Sequence, residues 1–215
     1  RVAGEDDEVW RRLRAAGAIL LGKTTTPEYF HKVLTDSPLF GITRNPWSLD
    51  RTPGGSSGGA ASALSAGIGA IAVGSDGGGS IRLPAACTGL LGLKPTMGRI
   101  PHVNYPDTFG NYAVLGPMAR NVRDLSTALQ IMSGNDRADA ASLGVPPFTA
   151  DLTENRDLVG VRIGVIGTPG GHSADQDVIG EFTGVLRELS GAGADIIEID
   201  GSILDEAFAS YLVIS

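Results

Sequence analysis

The chain has 215 residues, of which 42% are hydrophobic and 19% charged, and its formal net charge is −7. This composition is typical of an ordinary globular protein that is long enough to bury a core. The excess of acidic residues, with no segment rich in Lys or Arg, argues against a nucleic acid or an anionic membrane as partner. The single cysteine, Cys87, excludes an intrachain disulfide and favours a reducing compartment. No apolar run reaches the roughly eighteen residues of a membrane-spanning helix. We therefore expect a cytoplasmic protein without a membrane partner.

The first half of the chain is predicted to alternate between helix and strand. Acidic residues followed by basic ones predict a helix over residues 5–16, and the apolar residues 18–21 predict a buried strand. A polar loop follows over residues 27–53. Of the 31 glycines, 12 then fall between residues 54 and 92. This concentration gives more backbone freedom than packing needs, which indicates a functional region.

The second half continues the alternation. Short strands are predicted at residues 90–93 and 112–115, and a helix at residues 122–132 has Asn121 as its candidate N-cap. Residues 135–157 are polar and aperiodic, which predicts a surface connection rather than a domain boundary. One βαβ unit is then expected from a strand, a helix and a strand at residues 161–166, 175–189 and 196–199. The predicted fold class is α/β, in one domain.

Residues 17–24 read Gly-Ala-Ile-Leu-Leu-Gly-Lys-Thr and match the phosphate-loop pattern G-x-x-x-x-G-K-[ST]. A phosphate loop needs a strand before its first glycine and a helix after its lysine. Here the four variable positions are themselves the predicted strand, and the Thr-Thr-Thr-Pro that ends at Pro27 is a poor helix start. We interpret Lys23 as the end of a strand and do not predict nucleotide binding.

Residues 54–58 read Gly-Gly-Ser-Ser-Gly and match the G-x-S-x-G elbow of Ser-His-acid hydrolases. The elbow needs a strand that leads into its serine, whereas residues 45–53 contain two prolines and no apolar run. The chain also has only 3 histidines to act as base. A Ser-His-acid hydrolase is therefore disfavoured.

A third interpretation joins two serine-glycine clusters, at residues 54–59 and 77–82, whose first serines, Ser56 and Ser80, lie 24 positions apart. Glycines around a serine let several backbone N–H groups point toward one place, as the oxyanion of a tetrahedral intermediate requires. The apolar segment between the clusters can bring the second serine to a strand end beside the first. The alternative is a pair of glycine-rich turns without a catalytic role.

These two clusters and the motifs around them resemble the amidase signature family of serine amidohydrolases. The further landmarks, in the family's order over residues 5–135, are Arg14-Ala15-Ala16-Gly17-Ala18, Leu21-Gly22-Lys23-Thr24, Asn45-Pro46-Trp47, Ser75-Asp76, Leu83-Pro84-Ala85, Gly92-Leu93-Lys94-Pro95-Thr96-Met97-Gly98-Arg99 and Gly116-Pro117-Met118. The resemblance implies a single, partial domain over residues 1–215, with a central mixed β-sheet covered by helices on both sides. It implies neither a metal nor an organic cofactor.

The resemblance also implies roles in a Ser-Ser-Lys relay. Ser80 resembles the nucleophile, and Ser56 resembles the bridging serine, which in the family follows a cis peptide bond. The backbone N–H groups of Gly77, Gly78 and Gly79, together with that of Ser80, resemble the oxyanion hole. The implied enzyme hydrolyses a small carboxylic amide through an acyl-enzyme on Ser80.

Further residues are expected to support the site without touching the substrate. Gly55 and Ser57 flank Ser56, whereas Asp76 and Arg82 flank the nucleophile loop and are expected to hold its shape. Cys87 is interpreted as a small buried thiol rather than a nucleophile.

The family's catalytic lysine lies well before the first serine cluster, and no lysine of this chain matches it. Lys23 lies only 33 positions before Ser56 and matches a different landmark, while Lys32 and Lys94 fall in a loop and in another landmark. We expect the lysine upstream of Arg1, in a natural protein that is longer at both ends. A lysine from another chain and an inactive polypeptide are the alternatives.

Two other functions stay open beside amide hydrolysis. One is an amidotransferase subunit that releases ammonia from glutamine for tRNA-dependent amidation, which the lack of a basic patch mildly disfavours. The other is a non-catalytic fragment or scaffold. Peptide, aliphatic, aromatic and cyclic amides all remain candidate substrates, and a homodimer is compatible with the sequence.

Overall fold

The structure is a computed structural model that describes residues 4–103, 112–152, 157–167, 174–204 and 206–207. Its contacts divide the chain into two compact units, Arg1–Leu152 and Thr153–Ser215. Helices alternate with antiparallel and parallel strands, which confirms the predicted α/β class. Within the described ranges, we find no helix with the length and apolar character needed to cross a membrane. The assignment to a single domain stays a prediction.

Two helices build the first core of the larger unit. Helix α1 spans Glu8–Ala15 and packs on helix α4, which spans Val122–Met132. Asp7 caps α1 and so starts it three residues later than predicted, whereas Asn121 caps α4 by accepting the Asp124 N–H at 2.8 Å, as predicted. The buried cluster between these helices consists of Val9, Leu13, Ile100, Ala128, Leu129 and Met132.

A three-stranded antiparallel sheet lies beside a second core. Its strands are β3 (Ile71–Asp76), β4 (Leu91–Gly92) and β5 (Val114–Ala119), with β5 in the centre. Helices α2 (Gly58–Ser65) and α3 (Arg82–Thr88) contact each other. The second buried cluster consists of Ala60, Ala61, Leu64, Ile81, Ala85 and Met118. The sheet and the two helices place the serine clusters at neighbouring element ends.

The prediction of a buried strand at residues 18–21 is wrong. No described strand pairs with this segment, and Ile19 is 84% exposed. An apolar run indicates a tendency toward burial, whereas a strand also needs a neighbour for its backbone N–H and C=O groups. The phosphate-loop geometry is likewise not formed, because residues 24–27 are not helical.

The polar loop predicted over residues 27–53 contains some regular structure. A short 3₁₀ helix spans Glu28–Phe30, and a small antiparallel hairpin joins β1 (Asp36–Ser37) to β2 (Gly41–Ile42). Such short elements leave no clear periodicity in the sequence. The hairpin places the residue before it, Thr35, against the first serine cluster, as described below.

The smaller unit contains the predicted βαβ arrangement. Strands β6 (Arg162–Val165) and β7 (Asp195–Glu198) pair in parallel, and helix α5 (Gln176–Gly191) connects them. A 3₁₀ helix follows at Ser202–Leu204. The division between the two units falls inside residues 135–157, where a short 3₁₀ helix spans Ala140–Ser142.

Candidate active site

The first serine cluster forms a buried loop that leads directly into helix α2. The Gly55–Ser56 peptide bond is cis, as the resemblance implied. Ser56 is 2% exposed and Ser57 is 6% exposed. No strand occurs over residues 45–55, so the strand-to-serine geometry of a G-x-S-x-G elbow is not formed there.

The second serine cluster begins where strand β3 ends, at the fully buried carboxylate of Asp76. One oxygen of this carboxylate, Oδ1, accepts the Gly79 N–H at 2.7 Å, and the other, Oδ2, accepts those of Ile81 at 3.1 Å and Arg82 at 3.3 Å. The Arg82 guanidinium adds two hydrogen bonds, from Nε at 2.9 Å and from Nη2 at 2.8 Å. Five donors therefore hold one carboxylate at the base of the Ser80 loop.

This network decides the charge state of Asp76. Burial alone would raise the pKa of Asp76, but the hydrogen bonds from Arg82 and from the backbone N–H groups outweigh it and lower the pKa below its usual value. The hydrogen bonds to Asp76 in turn raise the pKa of Arg82, against the opposing effect of burial. Asp76 is therefore an anion at neutral pH. This geometry fits the loop-supporting role expected from the sequence for Asp76 and Arg82.

The loop geometry corrects one of the predicted oxyanion-hole donors. The Gly79 N–H already has an acceptor in Asp76, so it is not free for a substrate oxyanion. Gly79 has a φ of 119°, a backbone conformation that favours glycine. The N–H groups of Gly77, Gly78 and Ser80 make no hydrogen bond to any other described residue. These three remain the candidate donors.

Backbone contacts join the two serine clusters. The Ser57 N–H donates to the Ser80 carbonyl oxygen at 3.2 Å, and the Ser57 hydroxyl donates to the Ser75 carbonyl oxygen at 3.4 Å. A Cβ on Gly74 would lie 2.6 Å from Ser57 Oγ, so strand β3 and this loop are in close contact. The hydroxyls of Ser56 and Ser80 have no hydrogen-bond partner in the described part of the chain.

A family model described as Amidase matches residues 1–215. The chain belongs to the amidase family. Both serine clusters and the cis bond thus occur in a chain whose whole length matches that family.

Individual relatives agree with the family assignment. The chain is 40% identical over 211 residues to a glutamyl-tRNA(Gln) amidotransferase subunit of Sulfurisphaera tokodaii, a match that covers 98% of this chain and 44% of the relative. The crystal structure of the same-named subunit from Thermotoga maritima matches with a TM-score of 0.91 and 33% identity, over 98% of this chain and 46% of that one. A bacterial aryl acylamidase of the amidase signature family matches with a TM-score of 0.82 and 38% identity, over 92% and 41%. The chain spans less than half the length of these relatives.

One amidase landmark makes side-chain contacts that its sequence pattern does not specify. In Asn45-Pro46-Trp47, Asn45 Nδ2 donates to the Cys87 carbonyl oxygen at 2.7 Å, and Trp47 Nε1 donates to that of Thr88 at 2.8 Å. Both bonds anchor the end of helix α3, which follows the nucleophile loop. The expected burial of Cys87 is wrong, because the residue is exposed.

Two further residues at the site carried no sequence signal. Tyr112 packs on the nucleophile loop, since a Cβ on Gly77 would lie 2.7 Å from its ring. Thr35 bonds to the first serine cluster. A lone Tyr or Thr outside a motif gives no spacing from which such a contact could be predicted. Among the described residues, no group of three or more His, Cys, Asp or Glu side chains could hold a metal ion.

Proposed function

We propose that the whole protein hydrolyses the C–N bond of a carboxylic amide, with Ser80 as nucleophile, Ser56 as bridging proton relay and a lysine outside residues 1–215 as base. The observation that carries this proposal is the junction of the two clusters, in which Ser57 bonds to Ser80 beside the loop anchored by Asp76. One backbone hydrogen bond thus fixes the nucleophile loop to the segment that holds the relay. Gly55 and Ser57 have supporting roles in this proposal.

The first half of the reaction is acylation. The Ser80 hydroxyl proton passes to Ser56 while the Ser56 proton passes to the neutral lysine, and Ser80 Oγ attacks the carbonyl carbon. The oxyanion that forms is stabilised by the N–H groups of Gly77, Gly78 and Ser80. Each such donor typically contributes about 2.7–4 kcal/mol to the transition state.

Cleavage of the C–N bond requires that this proton be transferred to the leaving nitrogen. An amide anion is a very poor leaving group, so the leaving nitrogen takes a proton from Ser56, which is replenished from the lysine. A water molecule then attacks the acyl-enzyme through the same relay and releases the acid. These steps use no metal and no organic cofactor.

A second candidate has its own support in the comparisons. The Sulfurisphaera tokodaii relative, and the Thermotoga maritima structure with its TM-score of 0.91, are both named as subunits of glutamyl-tRNA(Gln) amidotransferase. In this alternative, glutamine is the amide that Ser80 attacks, and the ammonia goes to a tRNA-bound acceptor. The net charge of −7 and the absence of a Lys/Arg-rich segment speak against this chain binding the tRNA itself.

The experiment uses the whole natural protein with a panel of aliphatic, aryl, cyclic and peptide amides and glutamine, each followed by product release. We expect turnover of at least one amide without added ATP or partner. Ser56→Ala is expected to lower kcat for this amide, and Asp50→Asn, an exposed carboxylate, serves as control. Glutaminase activity that requires both ATP and a partner protein would instead select the amidotransferase alternative. No turnover, together with no labelling of Ser80 by a fluorophosphonate, would favour a non-catalytic scaffold.

A further inference from the structure

One buried threonine joins both ends of the loop that carries Ser56. Thr35 is 2% exposed and directly precedes strand β1. Its hydroxyl donates to the Gly54 carbonyl oxygen at 2.8 Å and accepts the Gly58 N–H at 3.1 Å. Because both glycines are buried, each of these backbone groups depends on a protein partner.

Thr35 is itself held in place by the hairpin. The Thr43 N–H donates to the Thr35 carbonyl oxygen at 2.9 Å, which continues the pairing of β1 with β2. The loop has little room to move away from this segment. A Cβ on Gly55 would lie 2.8 Å from the Leu34 carbonyl group, and one on Gly58 would collide with the Thr35 side chain.

The Ser56 hydroxyl has no hydrogen bond of its own within the described residues that would set its direction. The backbone on either side therefore sets where the Ser56 side chain starts, and the Thr35 hydroxyl bonds to that backbone at Gly54 and at Gly58. On the far side of the loop, the Ser57 N–H bonds to Ser80. Thr35 thus fixes one side of the Ser56 loop, and the nucleophile loop fixes the other.

From this geometry we infer that Thr35 is a positioning residue for proton transfer: its hydroxyl sets the place of Ser56 relative to Ser80. The inference rests on the proposed amide hydrolysis. It predicts a defect with a chemical signature. An anilide needs a proton from Ser56 on its leaving nitrogen, whereas a nitrophenyl ester releases a stable phenolate without one. Misplacing Ser56 therefore slows amide turnover more than ester turnover.

The test compares 4-nitroacetanilide with 4-nitrophenyl acetate in the whole protein. Thr35→Val keeps the shape but removes the hydroxyl, and we expect kcat for the anilide to fall about 10²-fold, as an ångström-scale misplacement can produce. KM for the anilide is expected to stay unchanged. Both substrates form the same acetyl-enzyme, so the ester is followed by kcat/KM, which reports acylation and not the shared deacylation step, and this value is expected to fall much less. Thr35→Ser, which keeps the hydroxyl, is expected to restore the anilide rate. Thr43→Val is the matched control, because it removes a hydroxyl that bonds only to Thr25 in the described structure.

A second variant and a second readout are available where the first ones fail. If Thr35→Val does not fold, Thr35→Cys, with a weaker donor, is expected to lower the anilide-to-ester ratio. If neither nitrophenyl substrate is turned over, the rate at which a fluorophosphonate labels Ser80 replaces the ratio. That rate is expected to fall in Thr35→Val, to recover in Thr35→Ser and to be unchanged in Thr43→Val.

The outcomes distinguish a failure of the Thr35 role from a failure of the proposed amide hydrolysis. An unchanged anilide-to-ester ratio in Thr35→Val, or an unchanged labelling rate where labelling is used, overturns the role of Thr35 alone if wild type is active and Ser80→Ala is not. Equal losses on both substrates in Thr35→Val also overturn it, because they indicate general disruption of the site. A wild-type protein that turns over neither substrate and is not labelled at Ser80 overturns the proposed function and the inference with it.

Discussion

The Ser57 N–H donates to the Ser80 carbonyl oxygen at 3.2 Å, so one backbone hydrogen bond joins two serine clusters that are separated by helix α2 and strand β3. The bond fixes the loops to each other without using either candidate catalytic hydroxyl. Both hydroxyls therefore stay available for the proposed relay. Other contacts of the site and of the surrounding fold can be tested one at a time.

Asp76→Asn is expected to destabilise the whole protein at neutral pH by about 1.5–3 kcal/mol, since hydrogen bonds to a charged acceptor are lost. The pKa of Asp76 is lowered on folding, so its contribution is full above the unfolded value of about 3.9 and is lost as pH falls through the folded value. Urea denaturation of wild type and variant between pH 7 and pH 3 measures this. The gap in unfolding free energy is expected to shrink below about pH 4. A gap of undiminished size at pH 3 would contradict the assigned charge state.

Arg12→Met tests the junction of helices α1 and α4. The Arg12 guanidinium bonds to the carbonyl oxygens of Met132, Ser133, Gly134 and Asn135, and its Nε bonds to Glu8, which is 6% exposed. The variant is expected to lower the free energy of unfolding by about 3 kcal/mol. This is the low end for breaking a buried ion pair, because Glu8 keeps its bond to Arg11.

The control for this prediction is Arg14→Met. Arg14 is 65% exposed and pairs with the exposed Asp6, so its loss should cost less than about 1 kcal/mol. Urea denaturation compares the two variants. Equal losses would mean that the carbonyl contacts of Arg12 contribute no more than an exposed ion pair.

The end of helix α3 offers a double-mutant test. The Thr88 carbonyl oxygen accepts both Trp47 Nε1 at 2.8 Å and Ser65 Oγ at 2.9 Å. Either Trp47→Phe or Ser65→Ala alone leaves the Thr88 carbonyl oxygen with one donor. Each single variant should therefore lose less unfolding free energy than the double variant. The double variant leaves none, and its loss in unfolding free energy should exceed the sum of the single losses by about 1 kcal/mol. Strict additivity in thermal or urea denaturation would show that the two bonds are independent.

Elements with their own local signal were predicted well from the sequence. Helix α4 and its Asn121 cap follow from the spacing of apolar residues and a side chain that can accept an N–H. Strand β5 was predicted too short, because Gly116 and Pro117 are typical of strand ends. In the structure both lie inside the central strand, where a Cβ on Gly116 would collide with the Leu93 carbonyl oxygen.

The site itself was predictable only where a motif marks it. Residues 54–59 and 77–82 stand out because their glycines are concentrated. The hydrogen bond from the Gly79 N–H to Asp76 depends on the backbone path of the loop, and a glycine-rich sequence does not specify that path. Thr35 was missed for a related reason: its contacts with Gly54 and Gly58 span 19 and 23 positions of chain that contain only one short hairpin.

Mass spectrometry of the whole protein, quenched during turnover of 4-nitrophenyl acetate, shows directly whether Ser80 attacks the substrate carbonyl. We expect an acetyl group on the peptide that contains Ser80, absent in Ser80→Ala and slower to form in Ser56→Ala. An acetyl group on another residue of a catalytically active protein, or amide turnover retained by Ser80→Ala, would contradict it.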